Sequence, residues 1–215
     1  MPKPKMFTYE KKAPFRDAFL FIIVCEGTNR EPEYFRFFDG MSSRVKVVPL
    51  QSIGGSAPNQ LVVVAIAAEK ELSVDSTVDK LWFVIDTDRW REQLHEIRQE
   101  CEQHQNWRVA QSNPCFEVWL YFHAKAQLPV LPNIDQCNNW KPYLPTVIQG
   151  GFNSSFHPIA IETATINSKA SYQATGYFPD PGSTQLWELG EELIPLIKKE
   201  LEQLKHRFPA PVVIG

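Results

Sequence analysis

No stretch of the chain approaches the roughly 20 consecutive apolar residues that a membrane-spanning helix requires. The N-terminus, "MPKPKMFTYEKKAPFR", carries lysines and prolines but lacks the apolar segment of a secretory signal. A soluble, cytoplasmic protein with no membrane partner is therefore expected, with residues 1–17 as a flexible basic tail. The four cysteines, Cys25, Cys101, Cys115 and Cys137, include no CxxC pair and have no histidine neighbours at zinc-ligand intervals. That argues against a structural zinc site and for reduced thiols. Histidines are scattered, and no internal repeat is visible. An excess of positive charge is missing too. The formal net charge of −3 argues against a protein that coats nucleic acid by bulk electrostatics, although a local basic patch remains compatible with it. There is also no Walker A motif, so any nucleotide-driven step would have to come from another chain.

What is present is a pair of unbroken apolar runs that each end on an acid. "AFLFIIVC", residues 18–25, is followed by Glu26 and Gly27; "LWFVI", residues 81–85, is followed by Asp86, Thr87 and Asp88. Apolar runs without polar alternation are the mark of strands covered on both faces, which belong to parallel sheets flanked by helices. Ligands of such folds gather at the carboxyl ends of the strands. Asp86 and Asp88 are two apart in an extended segment and so point the same way. Carboxylates held that close share a proton or bind a hard cation through oxygen. A turn, with Asp88 capping a helix that begins near Arg89, is the plainer account of the same residues.

Between and after these runs, the chain alternates. "EPEYFRFFDGM" reads as a helix started by Pro32, "RVKVVPL" as a strand, and "APNQLVVVAIAAEKELS" as a long helix after the glycine turn "SIGGSA", capped by Ser56 or Asn59. "RWREQLHEIRQECEQHQ" has Leu94, Ile97 and Cys101 as a buried stripe, and "WRVAQ" is a fourth strand. "SNPCFEVWLYFHA" reads as a helix with Pro114 in its first position and Ser112 or Asn113 as cap, which would leave Glu117 at the fourth helical position. Four strands alternating with four helices predict an α/β core over residues 18–125 with a mainly parallel sheet. Residues 126–215 are expected to pack on that core, beginning with a long irregular insertion over 127–158 rich in proline and asparagine. Within it, Trp140, Tyr143, Phe152 and Phe156 are candidates for base stacking, for an interface or for burial against the sheet. Two helices should follow, the second kinked at Pro195.

Three segments now converge on one rim: Glu26, the Asp86–Asp88 pair, and the "SNPCFE" turn. Hard oxygen ligands in this number suit Mg2+ or Mn2+. In that order, "VCEGTNREPEYF", "VIDTDRW" and "NPCFEVWL" resemble the RloB family, whose members are similar to the Toprim domains of OLD-type nucleases. The resemblance covers residues 18–125 most strongly, with "GGSAPNQLV" and "PGSTQLWEL" as weaker matches. It implies a Toprim-like fold in which Glu26, Asp86 and Asp88 hold the divalent metal, with Glu31 as a second acid of the first motif. Ser112 and Glu117 resemble later site residues of those nucleases. A downstream lysine is also expected, and Lys169 in "NSKASY" is the candidate, although a solvated helix lysine explains it equally well. The resemblance further implies metal-dependent hydrolysis of DNA or RNA, a role in bacterial anti-phage defence, and an ATPase partner of the ABC/AAA type. One or two metal ions, and any oligomeric state, fit the same motifs.

Two other classes fit parts of the pattern. A phosphatase of the haloacid dehalogenase kind also places DxD after a strand, with the first Asp as covalent nucleophile, but normally after its first strand and with a small β-branched residue where this chain has Trp90. A regulatory or nucleic-acid-binding Toprim subunit without a competent site is the non-enzymatic alternative; the presence of Glu26 beside both aspartates argues against it.

Overall fold

The computed structural model describes residues 18–51, 58–87 and 93–214. The basic leader, the "SIGGSA" turn, Asp88 and Trp90 lie outside the described residues. Four strands, β1 (Phe19–Cys25), β2 (Val45–Gln51), β3 (Lys80–Asp86) and β4 (Trp107–Ser112), form one sheet in the order β2-β1-β3-β4. Every pairing in it is parallel. Helices α1 (Arg30–Arg36), α2 (Pro58–Leu72), α3 (Gln93–Gln103) and α4 (Glu117–Phe122) alternate with these strands. The expected α/β architecture, a mainly parallel sheet flanked by helices, is the one observed.

Burial on both faces explains the apolar runs. In β1, Phe21, Ile23 and Cys25 enter one apolar cluster, while Leu20, Ile22 and Val24 enter another. The first cluster also takes in residues of α1, α4 and the later helices; the second is closed by Leu61 and Ala65 of α2 and Leu94 and Ile97 of α3. Period-two alternation is thus intact, but both sides are core, so the sequence shows no polar positions. Asp79, fully buried just before β3, accepts the Leu20 and Asp75 amides at 2.8 and 2.7 Å and ties the entrances of β1 and β3 together.

Two expectations need correction. The segment over 127–158 is not irregular throughout, because α5 spans Cys137–Val147 with Pro142 and Pro145 inside it. Its buried residues Cys137, Trp140, Leu144 and Val147 fall at helical spacing, and this stripe against the first cluster outweighs the two prolines. Trp140 is fully buried and donates its indole N–H to the Ile134 carbonyl at 2.8 Å; Tyr143, Phe152 and Phe156 are partly buried, so none of the four aromatics is freely exposed. The second correction concerns α4, which begins at Glu117 rather than after Pro114. Residues 113–116 form a turn instead. A cis peptide joins Asn113 to Pro114, and Asn113 is bonded through its amide to the Ser183 carbonyl and through its side chain to the Pro179 carbonyl.

Beyond α5, a short 3-10 turn leads into α6 (Ile161–Ser171). A two-residue antiparallel pairing follows, β5 (Ala174–Thr175) with β6 (Phe178–Pro179), and then α7 (Leu186–Leu204), which runs through Pro195 as a single helix. No helix of the described residues is long and apolar enough to cross a membrane.

Where α6 meets α7, Gly190 lies against Thr165, and a Cβ added at Gly190 would stand 2.2 Å from the Thr165 hydroxyl oxygen. That hydroxyl is buried without a hydrogen-bond partner. Helix propensity favours alanine by about 1 kcal/mol, whereas overpacking a stiff β-branched neighbour costs about 1–3 kcal/mol. Gly190→Ala is therefore expected to lower stability by about 1–2 kcal/mol in urea unfolding, and to lose that cost in a Thr165→Ala background. An equal cost in both backgrounds would refute the packing argument.

A carboxylate-lined cleft at the sheet edge

The strand order creates one place where consecutive connections leave in opposite directions. From β1 the chain passes to β2 on one side, then returns across β1 to β3 on the other. The carboxyl ends of β1 and β3 flank this switch point, the position at which open α/β sheets bind ligands. Glu26 follows β1 and Asp86 ends β3. Their backbones are joined across the gap, since the Glu26 amide donates to the Val84 carbonyl at 3.0 Å and the Asp86 amide donates to the Glu26 carboxylate at 2.8 Å.

A cleft of about 560 Å3 opens here. Glu26, Glu31, Asp86 and Glu117 line it together with Arg30, Cys137 and Lys141. Glu26, Glu31 and Glu117 are buried, at 7%, 7% and 4% exposure, and Asp86 is half-buried. Carboxylates pressed this close at low exposure are costly unless a proton or a cation intervenes. Burial raises the pKa of Glu31, the charge of Glu117 adds to that rise, and Arg30 and Lys141 oppose it. Arg30 reaches the Glu117 carboxylate at 3.4 Å from a half-exposed position. Lys141 sits at the exposed side of α5; attraction to Cys137 and then to Glu117 and Cys115 holds its ammonium above the ordinary lysine value. The donor set is mainly carboxylate oxygen, which fits Mg2+ or Mn2+.

Packing behind the cleft sets these acids. Tyr34 on α1 makes edge contacts with Phe116 and Trp119 beside and within α4, at centroid distances of 5.5 and 6.3 Å. Its hydroxyl meets His123 Nε2 at 3.0 Å, and the other ring nitrogen lies 3.0 Å from the Trp119 carbonyl. Burial pushes His123 down to about 3, so it is a neutral spacer between α1 and α4 and not a proton donor to the cleft. Gly27 is constrained from the front. A Cβ there would lie 2.0 Å from a Glu31 carboxylate oxygen, so any larger residue at 27 would displace the Glu31 carboxylate from its present position.

The structure brings together four of the residues singled out from sequence, Glu26, Glu31, Asp86 and Glu117. Ser112 stands opposite Asp86 in the β3–β4 register, but its hydroxyl is buried against the Thr184 hydroxyl at 2.8 Å and does not line the cleft. Lys169 is also elsewhere: its ammonium pairs with Glu191 at 2.5 Å and lies 4.8 Å from the Trp187 ring centroid. Among the described residues, the cations that line the cleft are Arg30 and Lys141. Arg30 was legible as the basic residue inside the first motif; Lys141 required α5.

Because Glu31 is raised, the fold favours its neutral form, and its ionisation opposes folding. Stability from this group is fully present below the ordinary carboxylate range and is lost as the pH rises through the raised value. Glu31→Gln is therefore expected to raise the melting temperature of the metal-free protein at neutral pH, with the gain shrinking as pH falls through that window. A gain that grows on acidification would contradict the assignment.

No curated protein and no solved structure matches the chain. A protein-family model described as RloB-like protein matches residues 21–193, a span that contains every cleft residue named above and most of the chain. This chain belongs to the RloB-like protein family.

Proposed function

We propose that the chain is a divalent-metal-dependent nuclease of the Toprim type, hydrolysing nucleic-acid phosphodiesters at the cleft between β1 and β3. The observation that carries this reading is the meeting of Glu26 and Asp86 at the switch point, bridged at 2.8 Å, with Glu31 and Glu117 in the same cleft. Glu26, Asp86 and Asp88 are assigned as metal ligands, with Glu31 and Glu117 available to a second ion. Bound Mg2+ or Mn2+ would supply Lewis acidity and a water of lowered pKa.

The chain's own groups supply the remainder. Buried strands hold Glu26 and Asp86 at fixed spacing, so no reorganisation is needed when a cation arrives. Arg30 and Lys141 bring positive charge to an otherwise acidic cleft and offset the repulsion between its carboxylates and an incoming phosphodiester. Lys141 takes the role that the resemblance led us to seek in Lys169. A bacterial anti-phage role with a separate ABC/AAA-type ATPase belongs to the same reading, through the resemblance to RloB proteins.

Cleavage of DNA and RNA substrates should require Mg2+ or Mn2+, stop on chelation and resume on Mn2+ addition. Glu26→Gln and Asp86→Asn should each lower the rate by at least about 100-fold. Lys141→Ala is expected to cost about 10–100-fold, while Lys169→Ala stays near wild type. The assay is to be run with and without the ATPase. Binding that survives both acid substitutions, with no cleavage in the reconstituted complex, would replace the nuclease by a non-catalytic subunit; a phosphorylated Asp86 would replace it by a phosphatase.

A further inference from the structure

Glu117 and Cys137 on the cleft wall have a third neighbour, Cys115, buried behind them. Cys115, Glu117 and Cys137 present two sulfurs and a carboxylate oxygen that all lie within 4.8 Å of one another, and all three residues are buried. The cysteines are distant in sequence and without CxxC spacing, so only the fold brings them together. The turn over 113–116 delivers Cys115, and the first residue of α5 delivers Cys137.

We propose that Cys115, Glu117 and Cys137 form a thiolate-rich site for Zn2+ or a cation of similar softness, separate in ligand chemistry from the hard-metal site of Glu26 and Asp86; Glu117 would then serve this ion and not a second Mg2+ or Mn2+. Geometry supports it first. Tetrahedral zinc with Zn–S of about 2.3 Å and Zn–O of about 2.0 Å sets ligand edges of about 3.8 Å between sulfurs and about 3.5 Å between sulfur and oxygen. The Cys137 sulfur stands 3.7 Å from the Glu117 carboxylate, close to that edge with no ion present to draw them in. Charge supports it second. Two thiolates and a carboxylate exceed the charge of one Zn2+ by one unit, and Lys141 and Arg30 both interact with this group.

Ligand choice follows from hardness. Two sulfurs favour Zn2+ over Mg2+, which prefers an all-oxygen shell. Access is provided, since Glu117 and Cys137 line the open cleft. On coordination each thiol releases its proton to solvent, so the binding step balances without an oxidant. Three protein ligands leave one coordination position for water.

The test is a Co2+ titration of the reduced, metal-free full-length chain, read as the near-ultraviolet thiolate-to-cobalt charge-transfer band. One equivalent should saturate the band, and one equivalent of Zn2+ should abolish it where excess Mg2+ does not. Cys115→Ser and Cys137→Ser should each remove most of the intensity, while Cys101→Ser retains it. Should the serine variants fail to fold, wild-type protein gives the second readout: Zn2+ should slow alkylation of Cys115 and Cys137, followed by mass spectrometry, and leave that of Cys101 unchanged. Absence of the band, a band that survives both serine substitutions, or alkylation rates indifferent to Zn2+ would each overturn the site. Both readouts report coordination directly, so they stand or fall independently of nuclease activity.

Discussion

The Glu26 carboxylate accepts the Asp86 amide at 2.8 Å, and through that bond the ends of two strands far apart in sequence become one rigid ledge. Rigidity comes from below. β1 and β3 are buried on both faces, and a one-residue slip would exchange the side chains of the two apolar clusters. Neither strand can slide without dismantling the core on both sides of the sheet, so the separation of the two acids is fixed by residues that never meet a ligand.

Electrostatic tension is the consequence of that ledge. Three glutamates at low exposure and a half-buried aspartate line one cleft, and among the described residues that line it a half-exposed guanidinium and an exposed ammonium bring the opposite charge. Partly screened cations of this kind return little against the cost of withdrawing carboxylates from water. A bound divalent cation, as proposed above, would lower that cost. On the proposals above, oxygen ligands along the sheet edge and sulfur ligands beside α5 would meet at Glu117.

Legibility in the sequence followed the range of the forces involved. The strands were plain because double-sided burial leaves a local signature, an apolar run without alternation. Glu26 and Asp86 followed, since the end of a strand is also a local feature. Glu117 was legible by type but misplaced on its helix, because the turn over 113–116 depends on bonds to residues 179–183 that no local pattern announces. α5 was hidden by Pro142 and Pro145, although Cys137, Trp140, Leu144 and Val147 kept helical spacing; weighing that stripe above the prolines would have revealed it. With α5 unseen, Lys141 and the pairing of Cys115 with Cys137 were out of reach. Lys169, by contrast, answers only the expectation of a downstream lysine that the resemblance implies, and its partner is Glu191 on another helix.

The order in which the chain is made gives the later helices a further meaning. Residues 18–112 emerge from the ribosome with all four strands, yet the sheet face carrying Trp82, Val84 and Ala110 joins a cluster whose cover includes Trp140 of α5, Ile161 of α6 and Leu186, Leu189 and Leu193 of α7. Until those helices follow, that face has only part of its cover, from Tyr34, Phe35 and Phe38. The sheet beneath the acidic edge therefore gains its full cover only after the last helix has been made, well after the edge's own strands.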